Sequence, residues 1–147
     1  MLLPILTYPN PLLRGKCQPV ENPNDSAIKK LAANMIETMR AKDGVGLAAN
    51  QVGQLLQIIV VATDKEPLVL FNPKILRYSW RKIISEEGCL SLPKTILKIR
   101  RSRTVKVQAA TPQGEKIQFT ARGMLAIVIQ HEVDHLNGIL IIDKNAK

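Results

Sequence analysis

The pattern of apolar and polar positions divides the chain into an early helix, a series of short strands and a late, strongly apolar helix. Between residues 25 and 42 apolar residues recur every three or four positions, which is the period of a helix packed on one side. Shorter apolar or alternating runs are typical of strands; they cover 57–62, 68–71, 74–78, 97–99, 104–109 and 115–119, with a hairpin turn at 111–114. Because the strands do not alternate regularly with helices, the pattern predicts an α+β fold rather than a doubly wound sheet.

The late helix is predicted over 121–137 and is expected to be buried on most sides. Apolar residues fill nearly every position from 124 to 129, Thr120 is available as an N-cap, and Gly138 is placed to end the helix. The apolar run at 139–142 predicts a further strand. We therefore expect short, mostly antiparallel strands packed around this central helix.

The buried helix carries the pentapeptide His131-Glu132-Val133-Asp134-His135. Residues four apart on a helix share a face, so both imidazoles can hold one metal ion. Glu132 is then placed to take a proton from an attacking water, as metal-assisted hydrolysis of an amide requires. A chance match is the weaker interpretation, because burying these polar groups in succession without partners is costly.

A third metal ligand has few candidates. Both histidines of the chain are already used, and Asp143 is the sole acidic residue after the motif. Metallopeptidases with this motif usually take their third ligand downstream, so an upstream ligand is the better expectation here. Of the two cysteines, Cys89 lies in a segment, 85–93, that a glycine and a proline predict to be irregular, whereas Cys17 is more typical of a packed thiol.

Three motifs resemble those of the peptide deformylase family and occur in the family's order: GVGLAANQ at 44–51, EGCLS at 87–91 and QHEVDH at 130–135. Shorter matches at 8–14, 71–73 and 137–138 extend the resemblance over about the whole chain. The resemblance implies a metal-dependent amidohydrolase. Its expected reaction is removal of the formyl group from the N-terminal formyl-methionine of newly made polypeptides, with release of formate.

The resemblance also implies catalytic roles. Glu132 would be the general base. The side-chain amide of Gln51 and the backbone N–H of Leu90 would donate hydrogen bonds to the formyl oxygen. The implied metal ligands are Cys89, His131 and His135, which leave one position of a tetrahedral site open.

A substrate groove and a supporting ion pair are implied as well. Glycine at 44 and 46 lets a peptide backbone approach closely. Arg101 occupies the position for pairing with Glu87, and Asp134 fits a solvated helix position and a supporting role equally well. The residues that the resemblance nominates for the methionine pocket, which are equally typical of a core, are Val45, Leu90, Ile127 and Val128.

The types of ligand do not determine which metal is bound. A Cys-His-His site suits zinc and also accepts iron, cobalt or nickel. The resemblance implies one divalent ion, with Fe²⁺ as the physiological metal and Zn²⁺, Ni²⁺ or Co²⁺ as alternatives. A thiolate beside iron predicts activity that fades in air.

Length and cysteine content limit the alternatives. The 147 residues fit a single catalytic domain over 1–147, which lacks the C-terminal helical extension of many bacterial relatives. Two cysteines, one assigned to a metal, leave none for a structural disulfide and predict a reducing compartment. Neither a signal peptide nor a membrane span is predicted. We expect a cytoplasmic protein, bacterial or phage-encoded, with an organellar location as the alternative and no membrane partner.

The formal net charge of +9 has more than one interpretation. The lysines and arginines crowded into 94–106 fit a solvated strand face or a weak, salt-sensitive contact with ribosomal RNA. Two Phe, two Tyr and one Trp give little stacking platform for sequence-specific single-strand binding. A basic RNA-binding module leaves the metal motifs unexplained, and an HExxH metallopeptidase lacks its downstream ligand. Deformylation of formyl-methionyl peptides and nascent chains is therefore favoured.

Overall fold

A computed structural model describes residues 1–146 and confirms the α+β prediction. Its helices are α1 Ser26–Ala41 and α2 Gly123–Leu136. Its strands are β1 Gly46–Ala48, β2 Ile58–Val61, β3 Leu68–Tyr78, β4 Lys82–Cys89, β5 Leu92–Ser102, β6 Thr104–Ala110 and β7 Lys116–Arg122. Short 3₁₀ turns occur at Pro11–Arg14, Ala49–Val52 and Ile141–Asp143.

The strands form two antiparallel sheets. The larger sheet has the order β1-β2-β3-β6-β7, and β4 pairs with β5 in a separate two-stranded sheet. The break predicted between 68–71 and 74–78 is wrong, because β3 runs through Asn72-Pro73 as a single strand. Asn72 has a positive φ of 53° and the register with β6 shifts there. The irregularity is thus absorbed as a bulge instead of ending the strand.

Helix α2 is buried against the larger sheet, which explains its apolar sequence. Ala126 and Ile129 have no exposed surface and belong to a core shared with β2, β3, β6 and β7. The side chain of Gln130 accepts a hydrogen bond from the Ser102 backbone N–H at 3.0 Å and donates to the Ser102 carbonyl at 2.8 Å. This pair fixes α2 to the end of β5, so the polar residues that follow Gln130 are held away from solvent.

The start of α2 differs from the prediction. Thr120 is not an N-cap, because it lies in β7 and pairs with Lys106 of β6. The pairing of β7 continues to Arg122, and only then does Gly123, with a φ of 61°, turn the chain sharply into the helix. Gly138, with a φ of 73°, ends the helix as predicted.

The strand predicted at 139–142 is also wrong. Residues Ile141–Asp143 form a 3₁₀ turn, and Leu140 and Ile141 are buried beside Leu13 and Ile99. The Asp143 carboxylate accepts hydrogen bonds from Arg14 and from the Leu140 backbone N–H. These contacts curl the segment back onto the protein instead of letting it extend into a strand.

Within residues 1–146, neither helix has the length and the apolar character needed to cross a bilayer.

Candidate metal centre and active site

The end of β4 and the C-terminal half of α2 bring together three side chains of the kinds that can hold a metal ion. The ligand atoms of Cys89, His131 and His135 all lie within 4.8 Å of one another. The Cys89 thiol lies 3.2 Å from His135 Nε2. Cys17 is buried elsewhere in the core, and burial raises the pKa of its thiol to about 11, as befits a packed residue.

The segment that carries Cys89 is more regular than its glycine and proline predict. Residues 85–93 are largely strand, since β4 and β5 form a hairpin around them. The register of this hairpin shifts between Glu87 and Cys89. A bulge of this kind re-aims a side chain without ending the strand, which is how a strand residue can face the helix.

The donor set fits a divalent cation. Ligand atoms around a tetrahedral ion with sulfur and imidazole ligands lie about 3.3–3.6 Å apart, close to the spacing here. Burial lowers the pKa of His135. Burial also lowers the pKa of His131, but Glu132, Cys89 and Glu87 outweigh it and raise that pKa to about 10. Burial thus keeps His135 neutral, with the ring lone pair that a divalent ion requires.

A buried network of charges orients His131. Its Nδ1 lies 2.9 Å from Glu87 Oε1, so the hydrogen bond leaves Nε2 to face the other ligands. Arg101 donates to both Glu87 oxygens, at 2.9 and 2.8 Å, and to Asp134 at 2.6 Å. Burial alone raises the pKa of Glu87, but the hydrogen bonds from Arg101 and His131 prevail and hold it at about 2. The predicted Glu87–Arg101 pair is present, and Asp134 joins it.

Glu132 lies at the base of the site without a stabilising partner. It is 3% exposed, and its Oε1 has no hydrogen-bond partner among the described residues. Burial raises the pKa of this carboxyl to about 7, while nearby His131 and Arg101 lower it. A buried carboxylate that no cation pairs directly is suited to exchanging a proton.

Glycine at position 46 leaves the space that Glu132 occupies. A Cβ at this position would lie 2.6 Å from Glu132 Oε2 and 2.8 Å from Val128 Cγ1. Both contacts are far closer than van der Waals distance. Strand β1 can therefore lie against α2 at this point only because residue 46 has no side chain.

The Gly46→Ala variant is expected to lose activity because the new methyl group displaces the Glu132 carboxylate. Overpacking of this kind costs about 1–3 kcal/mol of folding stability. The misplaced carboxylate is expected to lower kcat by roughly 10²-fold. The matched control is Gly15→Ala, whose Cβ would lie 2.9 Å from the movable Leu55 Cδ2, outside the residues of the site. Steady-state kinetics and thermal unfolding of both variants test this, and an equal kcat for the two would contradict it.

Gln51 is a buried part of the site and not a surface residue. Its Oε1 accepts a hydrogen bond from the Ala48 backbone N–H at 2.9 Å, which fixes the orientation of the amide. Its Nε2 then donates to Ser91 Oγ at 3.1 Å and lies 3.6 Å from the Cys89 sulfur. The amide nitrogen is thus held by Ser91 and faces the sulfur of Cys89.

The sequence alone does not identify two buried polar residues of the site. Ser91 holds the Gln51 amide, and Asn50 donates from Nδ2 to the His135 carbonyl at 2.6 Å. Both are fully buried. Asn50 lies in the GVGLAANQ motif and Ser91 in the EGCLS motif. Neither side chain is an acid, a base or a common metal ligand, which are the features that mark a residue as functional.

A cavity of about 490 Å³ opens onto Glu132, His131 and Cys89. Met124 and Ile96 also line it although both are largely exposed, and no periodic pattern marks them as pocket residues. The lining of this cavity includes all six residues that the sequence nominates for a substrate groove: Gly44, Val45, Gly46, Leu90, Ile127 and Val128. The surface beside the metal ligands is therefore mainly apolar and able to hold an uncharged side chain.

Comparison with known sequences gives one consistent result. The family model described as polypeptide deformylase matches residues 2–147. A peptide deformylase of Acinetobacter baumannii is 46% identical over 145 residues, which cover 97% of this chain and 82% of the relative. A peptide deformylase of Buchnera aphidicola is 49% identical over 149 residues, covering 99% and 85%.

Comparison with solved structures agrees. The crystal structure of peptide deformylase from Thermotoga maritima matches with a TM-score of 0.97 and 40% identity, covering 100% of this chain and 99% of that one. The Met-Ala-Ser-bound class I type b peptide deformylase of Acinetobacter baumannii matches with a TM-score of 0.95 and 35% identity, covering 98% of each chain.

Proposed function

We propose, from the premise that this chain belongs to the polypeptide deformylase family, that the cluster of Cys89, His131 and His135 is its metal centre and Glu132 its general base. The family's reaction is metal-dependent hydrolysis of the N-formyl group from N-terminal formyl-methionine. The observation that carries the assignment of residues is the convergence of three ligand atoms and one unpaired carboxylate at the base of a single apolar cavity.

In this mechanism Glu132 moves the proton. A bound divalent ion supplies a Lewis acid and makes a water molecule more acidic. The Glu132 carboxylate accepts the proton of the water that attacks the formyl carbon and later delivers it to the departing amine. The apolar walls formed by Val128 and Ile127 exclude other water, so the carboxylate keeps a pKa high enough to return the proton.

Hydrogen-bond donors stabilise the negative charge that develops on the formyl oxygen. We assign this stabilisation to the Gln51 side-chain amide and the Leu90 backbone N–H. Hydrogen bonds with Ala48 and Ser91 hold the Gln51 amide in one orientation. Gln51 and Leu90 both line the cavity beside Cys89. A preset donor avoids the cost of reorganisation during the reaction.

The Gln51→Leu variant is expected to lower kcat/KM by about 10²–10³-fold, the usual effect of removing one such donor. The matched control is Gln54→Leu, because Gln54 is exposed just after the turn that holds Gln51. Kinetics with a formyl-methionyl peptide, together with thermal unfolding of both variants, separate lost catalysis from lost stability. Equal kcat/KM for the two variants would contradict the assignment.

The methionine side chain is proposed to occupy the apolar part of the cavity, between Val45, Leu90, Ile127 and Val128. A relative that is 35% identical has been crystallised with Met-Ala-Ser bound, a peptide that begins with methionine. The same cavity here has the volume and the apolar walls for that side chain.

One assay tests the proposed function directly. Metal-loaded protein is incubated without oxygen with a formyl-Met peptide, and formate release is measured together with cleavage of internal peptide bonds. We expect formate with an intact peptide chain. Internal cleavage without formate would favour the metallopeptidase alternative, and one bound metal equivalent with neither product would overturn the proposal.

The metal is proposed to be Fe²⁺, with Zn²⁺, Ni²⁺ and Co²⁺ as substitutes that the same ligands accept. A thiolate ligand at the edge of an open cavity exposes both iron and sulfur to oxygen. We therefore expect the iron form to lose activity in air much faster than the nickel form. Equal half-lives of the two reconstituted forms would contradict this prediction.

The substrates are proposed to be formyl-methionyl peptides and nascent chains in the cytoplasm of a bacterial cell. The bacterial origin of the relatives supports this location. The net charge of +9 supports weak electrostatic contact with the ribosome. We further propose that residues 1–147 make up one catalytic domain, which the family match over 2–147 supports.

A further inference from the structure

The single tryptophan of the chain is its most exposed large apolar side chain. Trp80 is 84% exposed, in the short segment that joins the end of β3 to the start of β4. Tyr78, one of two tyrosines, is 54% exposed and lies two residues earlier. Composition suggests that the protein has little aromatic surface, yet these two exposed rings lie only two residues apart along the chain. A single exposed apolar side chain is common on a protein surface, but tryptophan and tyrosine are enriched at contact surfaces.

The backbone that presents Trp80 is firmly held. The Ser79 N–H donates to the Thr104 carbonyl at 2.9 Å, and the Arg103 N–H donates to the Arg81 carbonyl at 3.1 Å. The Ser79 hydroxyl donates to the Arg81 carbonyl at 2.9 Å and accepts from the Thr104 N–H at 3.1 Å. The segment is therefore braced against the β5–β6 connection, and binding there would cost little backbone entropy.

Cations lie along the chain on both sides of the exposed tryptophan. We call residues 77–82, 103 and 122 the Trp80 corner. Its four arginines, which are exposed and make no ion pair within residues 1–146, are Arg77, Arg81, Arg103 and Arg122. The Arg81 guanidinium lies 5.8 Å from the Trp80 ring centre, and the Lys82 ammonium lies 5.9 Å from the Tyr78 ring centre. The corner thus combines unpaired positive charge with two π faces.

We propose that the Trp80 corner binds single-stranded RNA without sequence preference. Phosphates match the unpaired arginines, and unstacked bases match Trp80 and Tyr78, which is how nonspecific single-strand sites are built. A bilayer is the poorer match, because surface helices that enter lipid present a broad apolar face, whereas cations flank Trp80. The choice of RNA over DNA rests on the proposed function, since nascent formylated chains are made on ribosomes.

The position of the corner suits that role. The Arg103 carbonyl accepts a hydrogen bond from the Gly123 N–H at 3.3 Å, and Met124 beside it lines the mouth of the cavity. Arg122 pairs with Thr104 in the same region. RNA held at the corner would lie next to the opening through which a peptide reaches Glu132, so that capture raises the local concentration of substrate.

The single tryptophan makes the test specific. The metal-loaded protein is titrated with an oligouridylate of about 12 nucleotides, and both Trp80 emission and the anisotropy of a labelled oligonucleotide are followed. We expect quenching of Trp80 and binding that weakens steeply from about 50 to about 200 mM salt. The Trp80→Ala variant should bind roughly tenfold more weakly, as loss of one stacked base implies.

Two variants and two competing ligands complete the test. Arg81→Gln should weaken binding and reduce its salt dependence, whereas Arg40→Gln removes the same charge from α1, which packs on β1 and β2, and should change neither. Absence of quenching at low salt, or equal binding by Trp80→Ala, would overturn the proposal. Tighter binding of oligothymidylate than of oligouridylate would overturn the choice of RNA. Quenching or a blue shift with anionic phosphatidylglycerol vesicles but not with RNA would identify a membrane surface instead.

Formyl-Met peptide hydrolysis by Trp80→Ala is measured in the same preparations and should be unchanged, because Trp80 does not line the cavity. RNA binding and deformylation can therefore fail separately.

Discussion

The Glu132→Gln variant is expected to lower kcat/KM by about 10³-fold while it keeps the fold and the metal. The change replaces one carboxylate oxygen by an NH₂ group and keeps the shape of the side chain, so the fit against Gly46 is preserved. The resulting amide can no longer accept the proton of the attacking water. Since Glu132 Oε1 has no partner among the described residues, the native structure loses no hydrogen bond at that atom.

The matched control for this variant is Glu115→Gln, which removes the same charge from an exposed turn. Anaerobic formate release, bound metal per chain and the thermal unfolding temperature are measured on both variants. Retention of more than about a tenth of the activity by Glu132→Gln, with metal content unchanged, would exclude a proton-transfer role for this carboxylate.

The Arg101→Met variant is expected to destabilise the protein by about 3–5 kcal/mol, because it leaves the buried Glu87 carboxylate without its cation and Asp134 with only the contact to Lys144 at 3.4 Å. Arg101 is 3% exposed and joins Glu87 on β4 to Asp134 on α2, so the loss separates the two elements that carry the metal ligands. For a domain of this size the unfolding temperature should fall by on the order of 10 °C. Activity should fall as well, since Glu87 orients His131.

The matched control is Arg100→Met, whose side chain is exposed one position earlier on β5 and should change stability by less than about 0.5 kcal/mol. The difference in unfolding free energy between the two variants should also depend on pH. Because the pKa of Glu87 is held at about 2, below its usual 4.5, the ionised pair stabilises the fold above pH 4.5 and loses this effect as the pH falls toward 2. Denaturant unfolding at several pH values measures this, and similar values for the two variants at neutral pH would contradict it.

Sequence reasoning located the chemistry because the motifs are local. The spacing of four positions from His131 to His135 places both side chains on one face of any helix, whatever the rest of the fold. The cavity lining could likewise be nominated from residues next to the motifs. The Glu87–Arg101 pair required the resemblance to a family, since nothing in their separation of fourteen residues shows that β4 and β5 form a hairpin.

Element boundaries depended on partners that the sequence does not reveal. Thr120 looks like an N-cap, but pairing with β6 holds it in β7. Glycine and proline around Cys89 suggest an irregular segment, but a bulged hairpin accommodates both. The apolar run at 139–142 has the composition of a strand and is instead folded back by Arg14 and by burial beside Leu13. In each case a tertiary contact outweighs the local preference.

The Trp80 corner illustrates a different limit of prediction from sequence. A count of one tryptophan and two tyrosines is low, and it indicates little base-stacking capacity. Composition cannot show that Tyr78, at the end of β3, and Trp80, just after it, are both exposed and each lie near a cation. Surface chemistry of this kind depends on placement, which only the fold supplies.

The division of the proposed metal ligands between β4 and α2 would affect how long the protein survives in a cell. An ion bound by Cys89 and the two histidines would join segments that only the native fold brings together. It would therefore stabilise the folded form relative to the unfolded one. Chains made during metal starvation would unfold more often and become targets for proteolysis. Supply of the metal would then set the abundance of the protein as well as the activity of each molecule, and the two would decline together.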